Sequence, residues 1–160
     1  MKTFDAIVIG TGQAGPALAP RLAGAAMKVA VIQRGPFGGT CVNTGCIPTK
    51  TMVASAYAAR LAQRAGEYGV GIDGRISVDM QRVKARKDEV SRQSREGLER
   101  SLRTLERCTV YEGHARFESA REVSVGSERL TAERIFINVG GRANVPDMPG
   151  VTSVPFLTNS

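Results

Sequence analysis

Two short stretches of the chain are apolar without alternation, FDAIVIG at residues 4–10 and KVAVIQ at residues 28–33. A strand covered on one face alternates with period two, whereas one covered on both faces does not, so each predicts a buried parallel strand. Between them GTGQAG turns into small and apolar residues up to about residue 25, which predicts a helix. Strand, helix and strand over about 30 residues make a βαβ unit, and the fold class is α/β.

Beyond this unit RGPFGG is a glycine-rich loop. From about Cys41 to Ala65 small and apolar residues predict one further helix, ended by Gly66 and Gly69. GVGIDGRIS is irregular. Val83, Val90, Leu98, Leu102 and Leu105 are spaced for one apolar stripe on a long helix at about 79–107, with Asp79 placed to cap it. TVYEGHARF, REVSVG and ERLTAERIFINVG predict β segments joined by turns, and RIFINVG at 134–140 again has the buried pattern. The tail PDMPGVTSVPFLTNS is proline-rich and carries no capping signal.

Composition narrows the class. Apolar content of 42% and charged content of 23% suit a soluble globular domain. No apolar run reaches the roughly 20 residues of a membrane span, so no membrane partner is expected. The N-terminus lacks a signal-peptide cleavage site, which makes the cytoplasm the expected location. The net charge is +7, and much of the basic excess falls in residues 82–107. Acidic residues interleave it and no aromatic residue offers a stacking face, so a solvated amphipathic helix is expected there and not a nucleic-acid surface.

Gly10, Gly12 and Gly15 form G-x-G-x-x-G, with Gln13 and Ala14 inside it, directly after a strand and at the start of a helix. The first glycine permits a tight turn, the second lets backbone approach a pyrophosphate, and the third packs helix on strand. Exposed amides at the helix start face the anion. In this context the pattern predicts nucleotide binding. The second strand should end in an acidic residue for the ribose hydroxyls, but Gln33 stands there. An amide still bonds a hydroxyl, without charge assistance; the other reading is a plain strand-end polar residue. Pro16 suits a first helical turn, whereas Pro20 lies one turn later, where it costs roughly 3 kcal/mol unless the helix bends.

Cys41 and Cys46 are two of the chain's three cysteines, in GGTCVNTGCIPTK at residues 38–50. A disulfide across so short a loop gains little chain entropy and is easily reduced, which suits a redox carrier. A helix N-terminus favours a thiolate and lowers its pKa. Metal binding and inert burial are the competing readings. The metal reading lacks a second ligand pair, because Cys108 and His114 are distant and unpatterned; no metal site is expected.

The order GTGQAG, GGTCVNTGCIPTK, GHARF and INVGGRANVPDMPG resembles the flavin-dependent pyridine nucleotide–disulfide oxidoreductases, among them glutathione reductase, dihydrolipoamide dehydrogenase and mercuric reductase. The wording GQAGP and NTGCIPTK looks nearest the mercuric-reductase-like branch. The resemblance spans essentially the whole chain and implies a Rossmann-like FAD-binding domain, a parallel sheet with a small antiparallel β segment, incomplete at residues 1–160. It implies FAD with its pyrophosphate at Gly10–Gly15 and its adenosine ribose near Gln33. Gly39 and Thr40 would run along the flavin side. Cys46 would be the charge-transfer thiolate, Cys41 the interchange thiol that attacks substrate, and Lys50 would tune the reactive ring nitrogen. The backbone of Gly113, His114 and Ala115 would touch adenine. Where the family reads Thr-Gly-x-Arg-Pro, this chain keeps Gly140 and Arg142 but has Val139 and Ala143.

Electrons would pass from NAD(P)H through flavin and the dithiol to a disulfide or metal-ion substrate. The family's NAD(P)H domain, its dimerisation domain and the His–Glu pair that a partner subunit delivers have no counterpart in these 160 residues. The full-length protein is expected to be a homodimer and this chain alone to be inactive in turnover. The alternative is a stand-alone nucleotide-binding or dithiol module, or a split subunit. His114 is expected to be a strand or loop side chain and not a base, and Cys108 a small buried residue.

Overall fold

β1 (Lys2–Ile9) and β2 (Val29–Gln33) pair in parallel, from Ala6 opposite Val29 to Ile9 opposite Ile32, with α1 (Ala14–Gly24) crossing between them. The structure is a computed structural model describing residues 1–158; the last two residues of the proline-rich tail, Asn159 and Ser160, lie outside the described residues. Four strands are mutually parallel, in the order β3 (Cys108–Glu112), β2, β1, β6 (Glu128–Ile137). β5 (Glu122–Val125) and β4 (Ala115–Ser119) extend the same six-stranded sheet antiparallel beyond β6.

Unbroken apolar runs become strands covered on both faces. Ile7, Ile9, Ala30 and Ile32 pack with Val123, Val125, Leu130 and Ala132 in one core cluster. Their neighbours Val8, Val29 and Val31 point the other way, into a second cluster with Ala19, Ala23, Phe37 and Leu102. The second cluster holds α1 and the C-terminal end of α4 (Met80–Arg103) against the sheet. Asp79 caps α4 as expected, its Oδ1 accepting from the amides of Gln81 at 2.9 Å and Arg82 at 3.1 Å. Leu102 is the one buried residue of that helix; Val83, Val90 and Leu98 are half-buried.

Two segments differ from the sequence reading. The helix expected over 41–65 is two helices, α2 (Gly39–Asn43) and α3 (Cys46–Gln63), broken at Thr44 and Gly45. The Asn43 side-chain amide donates to the carbonyls of Phe37 at 2.8 Å and Gly39 at 2.9 Å, which closes α2 on itself. The stretch TVYEGHARF is likewise two strands, because Gly113 takes φ +145° and turns the chain out of β3. Pro20 stays inside α1 on its exposed side, opposite the buried Gly15, Ala19 and Ala23. The carbonyl that it leaves without a donor therefore lies on the helix's watered side.

β6 is paired unevenly. β1 runs along it from Leu130 to Ile137, but β5 reaches only Glu128–Thr131 on its other edge. Among the described residues, 133–137 have no strand on that edge. An open groove of about 430 Å³ lies between α1 and β6, lined by Val8, Leu18, Ile135 and Phe136 among others. No helix among the described residues is long and apolar enough to cross a membrane.

Candidate functional site

Gly10, Gly12, Gln33, Gly113 and Gly140 sit at or just beyond the carboxyl ends of the parallel strands; Gln13, Ala14 and Gly15 open α1, Gly39, Thr40 and Cys41 lie in α2, Cys46 and Lys50 in α3, and Ala115 in β4. The chain leaves β1 through Gly10 at φ +100°, where an added Cβ would lie 2.2 Å from the Asn138 carbonyl oxygen. Gly15 packs α1 onto the turn so closely that a Cβ there would lie 2.3 Å from the Gly10 carbonyl oxygen. Gly12 is different in kind: its nearest neighbour would be the Asn138 amide nitrogen at 3.5 Å, an ordinary contact, so its open side faces the loop mouth. Gln13 stands at the N-cap of α1 without a side-chain hydrogen bond to the helix, leaving the first-turn amides of Ala14 and Gly15 without a side-chain cap. A cradle of glycine backbone and uncapped amides suits a pyrophosphate.

Thr11 ties this turn to its neighbours. It is fully buried. The Gln33 Oε1 accepts from the Thr11 amide and from Thr11 Oγ1, both at 2.8 Å. The Gln33 Nε2 donates to the Pro36 carbonyl at 3.1 Å. The Gly38 amide donates to the Thr11 carbonyl at 3.0 Å and to Thr11 Oγ1 at 3.3 Å. Only one orientation of the Gln33 amide satisfies both ends, oxygen toward Thr11 and nitrogen toward Pro36. A carboxylate could not make the second bond. Gln33 thus clasps the 34–38 loop to the glycine turn, a role the sequence reading did not assign it.

The clasped loop delivers the cysteines. Gly38 at φ +94° and Gly39 at φ +59° turn into α2, and a Cβ on Gly39 would lie 3.0 Å from the Gly12 Cα. Thr40 is exposed beside this turn, and Cys41 follows, half-buried. After the break at Gly45, Cys46 opens α3 and is exposed. Pro48 falls in the first turn of α3, where an amide would have no partner.

The Cys41 and Cys46 thiols interact. A hydrogen bond with Cys46 is the largest cause holding the Cys41 thiol above its ordinary range; desolvation and electrostatic repulsion from Cys46 add to it, and a backbone hydrogen bond to Cys46 opposes it. In the reduced couple Cys41 therefore keeps its proton, contrary to the lowering expected of a thiol beside a helix start. Both are free thiols. Cys46→Ala removes the principal cause, so the Cys41 pKa is expected to fall. Peptide-resolved alkylation rates across pH measure this, and an unchanged or higher Cys41 pKa would contradict it. Burial alone pushes Cys108 up, at the start of β3.

Lys50 lies one turn along α3 from Cys46, exposed. Ala115 packs against the first core cluster at the start of β4. Gly113 donates its amide to the Gln33 carbonyl at 2.9 Å, beside the glycine turn. Gly140 takes φ +71° just beyond β6 and is open to solvent. Asn138 escaped the sequence reading. Its amide donates to the Ile9 carbonyl at 2.8 Å, its Nδ2 to the Gly10 carbonyl at 3.5 Å, and its side chain floors Gly12 and Gly15. The signal was a second polar residue in RIFINVG, after Arg134 at its start, which an otherwise apolar buried segment would not carry without a partner.

The chain is 35% identical to a dihydrolipoyl dehydrogenase of Acholeplasma laidlawii over 94% of its own length and 44% of that protein's. It is 34% identical to the probable pyridine nucleotide-disulfide oxidoreductase RclA of Escherichia coli, over all of its own length and 34% of that protein's. A mercuric reductase of Bacillus cereus is 30% identical over 98% of this chain and 25% of its own. Among solved structures, the Cu(II) complex of the HOCl-induced flavoprotein disulfide reductase RclA from Escherichia coli superposes with a TM-score of 0.78 at 34% identity, over 97% of this chain and 32% of that one. The chain thus spans between a quarter and a half of the length of these relatives. Residues 4–159 match the family model described as pyridine nucleotide-disulphide oxidoreductase, and the chain belongs to that family.

Proposed function

We propose that residues 1–160 are the N-terminal part of the FAD-binding domain of a flavin-dependent disulfide oxidoreductase, with Cys41 and Cys46 as its redox couple. The observation that carries this reading is the Thr11 clasp, which ties the loop leading to Cys41 and Cys46 directly to a pyrophosphate-type turn. The residues present fit FAD. Backbone at Gly10, Gly12, Gln13, Ala14 and Gly15 would hold its pyrophosphate. Gln33, Gly113 and Ala115 would border the adenosine, and Gly39, Thr40, Lys50 and Gly140 would lie toward the flavin. Bound there, a flavin supplies a two-electron relay between a nicotinamide dinucleotide and a disulfide.

The chain's own part begins with the Cys41–Cys46 disulfide taking two electrons and two protons to become the dithiol. Cys41, once its retained proton is removed, attacks one sulfur of a substrate disulfide, and the other sulfur leaves and is protonated. Cys46 then attacks Cys41 Sγ, releasing the second substrate thiol and restoring the disulfide. The exposure of Cys46 and the half-burial of Cys41 let both sulfurs be reached in turn. Because Cys41 holds its proton, the step needs a base from outside the pair.

Relatives named dihydrolipoyl dehydrogenase and mercuric reductase match at similar identity, so the proposed substrate class is a disulfide or a thiol-binding metal ion. NAD(P)H as the donor, a homodimeric whole protein and a cytoplasmic setting complete the reading; a reducing compartment suits a couple that cycles. The test pairs two measurements. FAD fluorescence is expected to be quenched by the chain, and a mild oxidant to consume two of the three thiols, Cys41 and Cys46, sparing Cys108. Unquenched FAD, or a disulfide involving Cys108, would overturn the reading.

A further inference from the structure

The adenosine end of the turn lacks the acidic acceptor usual for a ribose diol, which leaves a diol there without a charge-assisted bond. Such a diol is held by an acidic acceptor at the end of the second strand. Here the acceptor is spent: the Gln33 Oε1 already takes two hydrogen bonds from Thr11, which fills both of its lone pairs. Of the two Nε2 hydrogens, one goes to the Pro36 carbonyl. What Gln33 can still offer a ligand is one N–H donor and no negative charge.

Its surroundings are basic. Arg34, the next residue, is exposed, and among the described residues it forms no ion pair. Its Nη1 lies 3.4 Å from His114 Nδ1, across the ends of the adjacent strands β2 and β3. Arg103 stands over the Phe37 ring, 5.7 Å from its centroid. The neighbouring carboxylate, Glu112, is neutralised by Arg103. A spare amide donor on Gln33 and an Arg34 guanidinium that contacts only the His114 ring and no carboxylate therefore stand at the ends of the adjacent strands β2 and β3. Guanidinium geometry matches a phosphate monoester, and an arginine near this strand end is what accommodates a ribose 2′-phosphate in dinucleotide folds.

We propose that the glycine turn also takes adenine dinucleotides carrying a 2′-phosphate on the adenosine ribose, which compete there with FAD. Arg34 and the free Gln33 N–H are the recognition groups. The inference rests on the dinucleotide-binding reading above and adds a second ligand class to it.

The discriminating probes are ADP-ribose and its 2′-phosphate, which differ only in that monoester, titrated calorimetrically into the chain. The phosphorylated ligand is expected to bind about tenfold tighter, the effect of roughly one charge-assisted hydrogen bond, and the margin should narrow as salt is raised. Arg34→Ala is expected to bring the two ligands within about twofold. Gln33→Glu should reverse the preference; because it also breaks the Pro36 bond, its folding is checked by circular dichroism, and Arg34→Ala decides the matter if it unfolds. Equal or weaker binding of the phosphorylated ligand, or a preference that survives Arg34→Ala, overturns the inference. With FAD fluorescence still quenched, that failure is confined to the 2′-phosphate; loss of quenching as well sinks both readings.

Discussion

Gly10→Ala is expected to unfold most of the site and to cost about 3 kcal/mol or more in urea denaturation. Two penalties coincide. The backbone at φ +100° is one that a side chain rarely adopts, and the added Cβ would fall 2.2 Å from the Asn138 carbonyl oxygen. That atom is main chain, fixed because the Asn138 amide donates to Ile9 at the end of β1. Neither side can yield without separating β1 from β6, the most extensive strand pairing in the sheet. Nucleotide binding should be lost with it. Gly35→Ala is the control: nothing lies within 4 Å of its Cβ position, and its effect should stay within about 0.5 kcal/mol. A Gly10→Ala loss below about 1 kcal/mol would show that the turn can open to admit a side chain.

Leu102→Ala should be the largest effect outside the turn, about 3 kcal/mol by chemical denaturation. α4 runs for 24 residues, yet Leu102 is its one buried side chain, 1% exposed among Val8, Val29, Val31 and Phe37. Truncating it removes apolar contact and leaves a cavity that the β1 and β2 side chains cannot fill without disturbing the sheet. Val83→Ala, at the other end of the same stripe and only half-buried, should cost under about 1 kcal/mol. The contrast matters for the site, because Leu102 stands beside Arg103, which reaches over the Phe37 ring and binds Glu112. Loosening the last turns of α4 therefore also frees the loop that leads to the cysteines. Comparable losses for the two variants would mean that α4 is held along its whole length.

The parallel core was legible because both faces of β1 and β2 are buried, which erases the period-two alternation and leaves a signal that periodicity detects. The need for glycine at Gly10 and Gly15 was legible too, since each follows from what a Cβ would strike. The break between Cys41 and Cys46 was not. Asn43, Thr44 and Gly45 are weak helix formers inside an otherwise helix-compatible stretch, and the interruption is completed by Asn43 turning its amide back to Phe37 and Gly39, a contact that no window of sequence displays. Gln33 shows the same limit. Its position announced a ribose ligand, while its partners Thr11 and Pro36 lie in two different loops brought together only by folding. A lowered pKa at a helix start was a sound local argument for a lone thiol. It fails for Cys41 because a second sulfur is the stronger neighbour.

The lopsided pairing of β6 has a practical outcome at the bench. Past Ala132, whose amide donates to the Arg121 carbonyl, the outer rim has no strand partner among the described residues and ends beside the solvent-facing Ile137 and Val139, which are 65% and 67% exposed. Such a rim templates foreign strands. Concentrated stocks of this chain will tend to stack rim to rim and come out of solution, and a short peptide that occupies the rim should keep them clear.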